Sequence, residues 1–191
     1  MPDFIARLTA SFRRVSTGNL ACLGGLVVLA IAARWLPHPP NFTPVAAVGL
    51  AGGAWLASRW ASALLVVTIM LVSDVVIGFH PLAALVYGCL VINVLLGHQL
   101  RRLADSSVLA RIGGVAAASV VGSVLFFVAT NLGHWAVYYE PTWAGLMRCY
   151  TVAVPFFQYT VAGDLFYSAL LFGSYGLATA RRPRSAVAVA A

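Results

Sequence analysis

A chain of 191 residues that is 61% hydrophobic and only 9% charged, with a mean hydropathy of +0.91, has too little polar surface for a soluble globular domain. Its formal charge of +7 comes from twelve arginines against five acidic residues, with no lysine, which excludes a Walker A phosphate loop, and so a nucleotide site of that kind, and a Schiff-base lysine. Long apolar runs predict an all-α polytopic membrane protein, because backbone polar groups in hydrocarbon must be satisfied inside helices or closed barrels.

Residues 1–19 carry Arg7, Arg13 and Arg14 and read as a cytoplasmic basic lead-in rather than a cleaved signal peptide. Six spans are predicted at 20–36, 44–58, 62–79, 82–100, 112–136 and 155–178, the second short and tilted into its neighbours. They form one transmembrane domain over 20–178, followed by a cytoplasmic tail over 179–191. In this topology ten of the twelve arginines lie on one side and only Arg34 and Arg148 on the other. The positive-inside rule then places both termini in the cytoplasm. The charge reflects topology and contact with anionic lipids; no basic face with interleaved aromatics suggests nucleic acid.

The opposite, outer side has a different character. Its first loop is Pro37-His38-Pro39-Pro40-Asn41-Phe42-Thr43-Pro44, stiffened by its prolines. The second is Phe79-His80-Pro81, and the third runs from His134 and Trp135 through Tyr138, Tyr139, Trp143, Arg148 and Tyr150 to a last span opened by Pro155. Aromatic residues at an interface are ordinarily headgroup anchors, but their concentration here with three histidines fits an outward-facing small-molecule cavity. The histidine spacing matches no zinc pattern.

Polar residues inside spans are costly and so informative. Asp74 falls about 7 Å from the outer end of the third span, where an ionised carboxylate needs a partner or water. Asp164 falls about 14 Å beyond Pro155, with Thr160, Tyr167 and Ser168 on the same helical face. Asn93 and Cys89 share a face of the fourth span. Gly114, Ala118 and Gly122 repeat small residues every four positions, a helix-packing face. An aspartyl protease is disfavoured, because Ser73-Asp74 and Ala162-Gly163-Asp164 lack the flanks of the presenilin type and the two depths differ. Cys22, Cys89 and Cys149 fall at three depths, so no disulfide is expected.

Asn41-Phe42-Thr43-Pro44, Ser73-Asp74, Gly78-Phe79-His80, Val86-Tyr87-Gly88, Cys149-Tyr150, Pro155-Phe156-Phe157 and Gly163-Asp164-Leu165 resemble small bacterial membrane proteins related to the substrate-binding (S) components of energy-coupling-factor (ECF) vitamin transporters. Within that group the chain is similar to the solitary BtuM-type cobalamin transporters. The resemblance implies a six-helix S-component-like bundle in the bacterial cytoplasmic (inner) membrane that captures a vitamin, with cobalamin as substrate, at its outer face and moves it inward. It further implies an axial bond from one membrane cysteine to the cobalt of cobalamin, with decyanation accompanying transport and no ATPase partner. Cys89, about 12 Å below the outer surface, is the position for that ligand, and a soft thiolate suits cobalt. Asp74, His80, Tyr87 and Cys89 are the expected cavity residues, with His38, Asn41 and Phe42 as a lid. Three alternatives stay open: an S component for another vitamin or precursor working with an ECF ATPase module, a membrane enzyme acting on a lipid or quinone through Asp74 or Cys89, and a structural subunit.

Overall fold

The computed structural model describes residues 17–56 and 58–180; the arginines at 7, 13, 14, 181, 182 and 184 lie outside them, as does most of the expected lead-in and tail. Among the described residues every regular element is helical. In chain order these are α1 (Thr17–Trp35), α2 (Val45–Trp55), α3 (Arg59–Ile77), α4 (Ala83–Leu100), a 3-10 turn at Arg101–Leu103, α5 (Val108–Tyr138) and α6 (Trp143–Ala180). Three segments, Arg59–Ile77, Ala83–Leu103 and Val108–Tyr138, are long and apolar enough to cross a membrane, whereas Gly24–Trp35 and Val45–Trp55 are apolar but shorter. Val28, Leu29, Val75, Val76, Leu109 and Leu170 all lie exposed on the outside of the bundle. So much unpaired apolar surface is foreign to a soluble monomer and natural against lipid.

Helix α2 is the centre of the bundle, although it has only 11 residues and a length of about 16 Å. Val45, Val48, Leu50 and Ala51 are all buried, and the helix packs most heavily on α4, then on α3 and α6. Glycines make that approach possible. A Cβ on Gly97 of α4 would overlap the Leu50 carbonyl, and one on Gly53 would overlap the Val94 carbonyl. Gly49, four residues before Gly53, likewise faces the Leu90 carbonyl. This is the small-xxx-small device, by which helices in lipid gain close van der Waals contact where no hydrophobic drive exists between them. The predicted small-residue face of α5 is also used: a side chain on Gly122 would run into Asn93, and one on Gly114 into Leu103.

The last two helices differ most from expectation. The last helix begins at Trp143 rather than Pro155, so the predicted third outer loop shrinks to the few residues between Tyr138 and Trp143, and Arg148 and Tyr150 are helical. Pro155 sits inside α6. Proline usually marks a helix boundary, but it removes only one helical hydrogen bond, and the turns on both sides continue here. Helix α5 likewise overruns the expected 112–136 at both ends.

The loop between α1 and α2 folds into the bundle. Asn41 takes a left-handed conformation (φ 61°) that asparagine tolerates better than most residues. Phe42 then enters α6, its ring 5.9 Å from Phe166 and 5.5 Å from Tyr167. Gly163 leaves room for it: a Cβ there would lie 3.0 Å from the Phe42 Cα.

Candidate functional site

At the end of the bundle that carries the 36–44 loop lies a cleft made of two neighbouring cavities with lining residues in common. The outer part, about 600 Å³, is bounded by His80, His134, Tyr138 and Tyr139 at its rim and by Phe127, Asn131, Cys149 and Phe157 along its wall. The inner part, about 260 Å³, descends between His38, Asn41 and Thr43 on one side and Val86, Leu90 and Phe126 on the other, and ends at Asn93 and Asp164. Arg34, Asn41, Val86, Phe126 and Thr160 border both.

Arg34 is held by a network joining three helices. Its Nη2 lies 2.5 Å from Asp74 Oδ1, and its Nη1 donates to Met70 Sδ at 2.9 Å. The second carboxylate oxygen of Asp74 accepts from the Tyr87 hydroxyl at 2.6 Å. Trp35 Nε1 donates to the Ser73 carbonyl next door at 3.3 Å. Asp74 is 1% exposed, so this is a buried ion pair whose lone pairs are largely satisfied, the arrangement that makes such a pair tolerable away from water. Among the described residues Arg34 Nε and, elsewhere, His98 Nδ1 are buried without a partner.

A second polar chain lies deeper. Ser123 Oγ donates to Asp164 Oδ2 at 2.6 Å and is itself 3.0 Å from the Ser119 carbonyl, while Ser119 Oγ bonds Ser168 Oγ at 2.9 Å. These contacts tie α5 to α6. Beside them Asn93 Nδ2 donates to the Cys89 carbonyl at 3.3 Å. The outer wall is braced by Tyr150 donating to the Val128 carbonyl at 2.6 Å, and by Cys149 Sγ at 3.5 Å from the Asn131 carbonyl. His134 packs its ring 4.6 Å from Tyr138.

The expected site residues divide into three groups. His38, Asn41 and His80 border the cleft. Asp74 and Tyr87 stand one layer behind it and act on it through Arg34. Phe42 and Cys89 do not line it: Phe42 is wedged against α6 rather than serving as a lid, and Cys89 is buried in the helix packing, 5% exposed. The inner floor belongs to Asn93 and Asp164, whose helical faces the sequence marked as polar but did not join to the cavity. Arg34 was read only as one of two outer arginines, and its partnership with Asp74 could have been found by matching depths, since both close the last turns of their helices at the same end. Among the described residues no three His, Cys, Asp or Glu side chains converge to hold a metal ion.

Residues 16–186 match a family described as a family of unknown function, DUF6580. The chain belongs to this family. No curated protein and no solved structure matches it. Membership in DUF6580 carries no activity with it, so the chemistry follows from the side chains. An aromatic-walled cleft with a fixed arginine part-way down and a carboxylate at its end can receive and orient a small polar molecule. In this DUF6580 chain the carboxylate at its end is held by the Ser123 hydroxyl.

Proposed function

We propose that this protein is a six-span uptake protein of the bacterial cytoplasmic membrane, which binds a vitamin-sized molecule in the outward-facing cleft and passes it inward. One observation carries the reading. Two adjoining cavities that share Arg34, Asn41, Val86, Phe126 and Thr160 extend from a histidine- and tyrosine-bearing rim to Asn93 and Asp164, and part of their wall is the irregular 36–44 segment leading into the short helix α2. Broken or shortened helices at mid-depth are where membrane transporters bind their substrates, because backbone that is not hydrogen-bonded in a helix faces the cavity there. The topology has support of its own. Arg59, Arg101, Arg102 and Arg111 lie at the end of the bundle opposite the rim, as expected if that end is cytoplasmic.

The cleft volumes, about 260 and 600 Å³, lie in the range of ordinary small-molecule sites. They favour a vitamin or precursor of one to three rings, handled as by an S component with or without an ATPase partner. Cobalamin, the ligand implied by the resemblance, requires more: the helices must part to admit the corrin, and Cys89 must turn its sulfur into the cleft to reach cobalt. Binding of radiolabelled vitamins to the protein in lipid nanodiscs, followed by uptake into proteoliposomes, tests the reading. Saturable binding that is lost when bulky residues replace Thr160 or Ala153 on the cleft wall is the expected result; lack of binding by every vitamin overturns it. For cobalamin, a shift of the corrin absorbance that disappears in Cys89→Ser but persists in Cys149→Ser is the required outcome.

A further inference from the structure

The lining of the inner cleft is electrically unbalanced. Of the ionisable groups that border it, Arg34 is neutralised by Asp74, and His38 is engaged through Nδ1 with the Pro39 carbonyl at 2.8 Å. Asp164 at the bottom has no ion-pair partner among the described residues. Among the described residues its carboxylate has one hydrogen bond, from Ser123 to Oδ2, and Arg34–Asp74 is the only ion pair.

Three other arginines among the described residues lie elsewhere. Arg101 donates from Nε to the Gly53 carbonyl at 3.0 Å and from its guanidinium to the Leu56 carbonyl, at the far end of the bundle. Arg59 lies over the Trp60 ring. Arg148 is on the same helix as Asp164 but about 24 Å away along its axis. The Asp164 side chain is also 5% exposed and flanked by neutral groups: Asn93, Thr160 and the serine ladder of Ser119, Ser123 and Ser168. An ionised carboxylate in such a place calls for a positive partner, and the cavity that Asp164 borders offers space for one.

We infer that the inner cleft is a cation-binding site, in which Asp164 accepts from the protonated amine or other cationic nitrogen of the molecule taken up. This inference rests on the uptake reading and narrows it to substrates with a basic nitrogen at one end. Asn93 and Thr160 flank the carboxylate as neutral polar groups for the atoms next to that nitrogen. Phe126, Val86 and Leu90 provide apolar walls for a ring above it. Arg34, already paired, closes the outer side without adding net charge.

The test uses the full chain in nanodiscs and a panel of probes: thiamin and pyridoxamine as cations, pyridoxine and riboflavin as neutral molecules, biotin as an anion, and cyanocobalamin. Pyridoxamine and pyridoxine differ at one substituent, amine against hydroxyl, so the comparison in the unmodified protein reads the charge alone. The inference expects pyridoxamine to bind roughly tenfold or more tightly than pyridoxine. It expects Asp164→Asn, which preserves shape and can keep the Ser123 contact, to abolish that preference without lowering the melting temperature. Equal binding of the pair, or a preference that survives in Asp164→Asn, overturns the cation site while leaving uptake intact. The same holds if only biotin or cyanocobalamin binds. Failure of every probe to bind overturns the uptake reading and this inference with it.

Discussion

Arg34 and Asp74 stand 40 residues apart in the chain and meet at 2.5 Å, tying the last turn of α1 to the last turn of α3 beneath the mouth of the cleft. Tyr87 extends the link to α4. The pair therefore ties three helices together at the entrance, with the Asp74 carboxylate buried and Arg34 partly exposed beside the cleft.

Removing one member should be more harmful than removing both. Arg34→Met alone leaves the buried Asp74 carboxylate uncompensated, at a cost of about 3–5 kcal/mol, and Asp74→Leu, which leaves the partly exposed Arg34, should cost less, whereas the double variant should recover much of the larger loss. Unfolding of the four proteins of this cycle by denaturant in detergent gives the coupling energy directly. Additive single effects would show that the two groups act independently.

The glycine contacts between α2 and α4 give a second expectation. Gly97→Ala or Gly53→Ala would push a methyl group into a backbone carbonyl, which cannot swing aside as a side chain can. Each should lose at least the roughly 1–3 kcal/mol typical of an overpacked core, and with it much of the monodisperse protein on size exclusion. Gly113→Ala and Gly24→Ala, where an added Cβ meets nothing within 4 Å, should behave as the unmodified chain.

Cysteine accessibility separates the cleft wall from the helix packing. Cys149 borders the outer cleft and Cys89 does not, although both are buried and free. In single-cysteine variants a small methanethiosulfonate reagent should therefore modify Cys149 faster than Cys89 in the folded protein. Faster reaction of Cys89 would place its sulfur in the cleft, as cobalt ligation requires.

Topology is tested by reporters. A fusion after Arg184 should report the cytoplasm, and insertions at Pro39 or Tyr139 the outside; an external reading for the segment between Arg101 and Arg111 would overturn the six-span arrangement.

The chain's composition and apolar runs by themselves determined that it is helical, and the position of its outer arginines, histidines and aromatics determined where to look for a cleft. These are one-dimensional properties: the length of an apolar run, or the residue types at its ends, is independent of which helix packs on which. Helix ends were less legible, because Pro155 reads as a stop although the neighbouring turns keep α6 continuous. Which polar groups meet was decided only in three dimensions. Arg34 pairs with Asp74, Ser123 with Asp164, and Phe42 packs on Tyr167, all across at least 40 residues of chain. Cys89 and Asn93 share one helix, yet only Asn93 reaches the cleft. The reason is the close packing of α2 on α4: Gly49, Gly53 and Gly97 let the two backbones approach, and that approach selects which faces of α4 are covered and which are left open to a ligand.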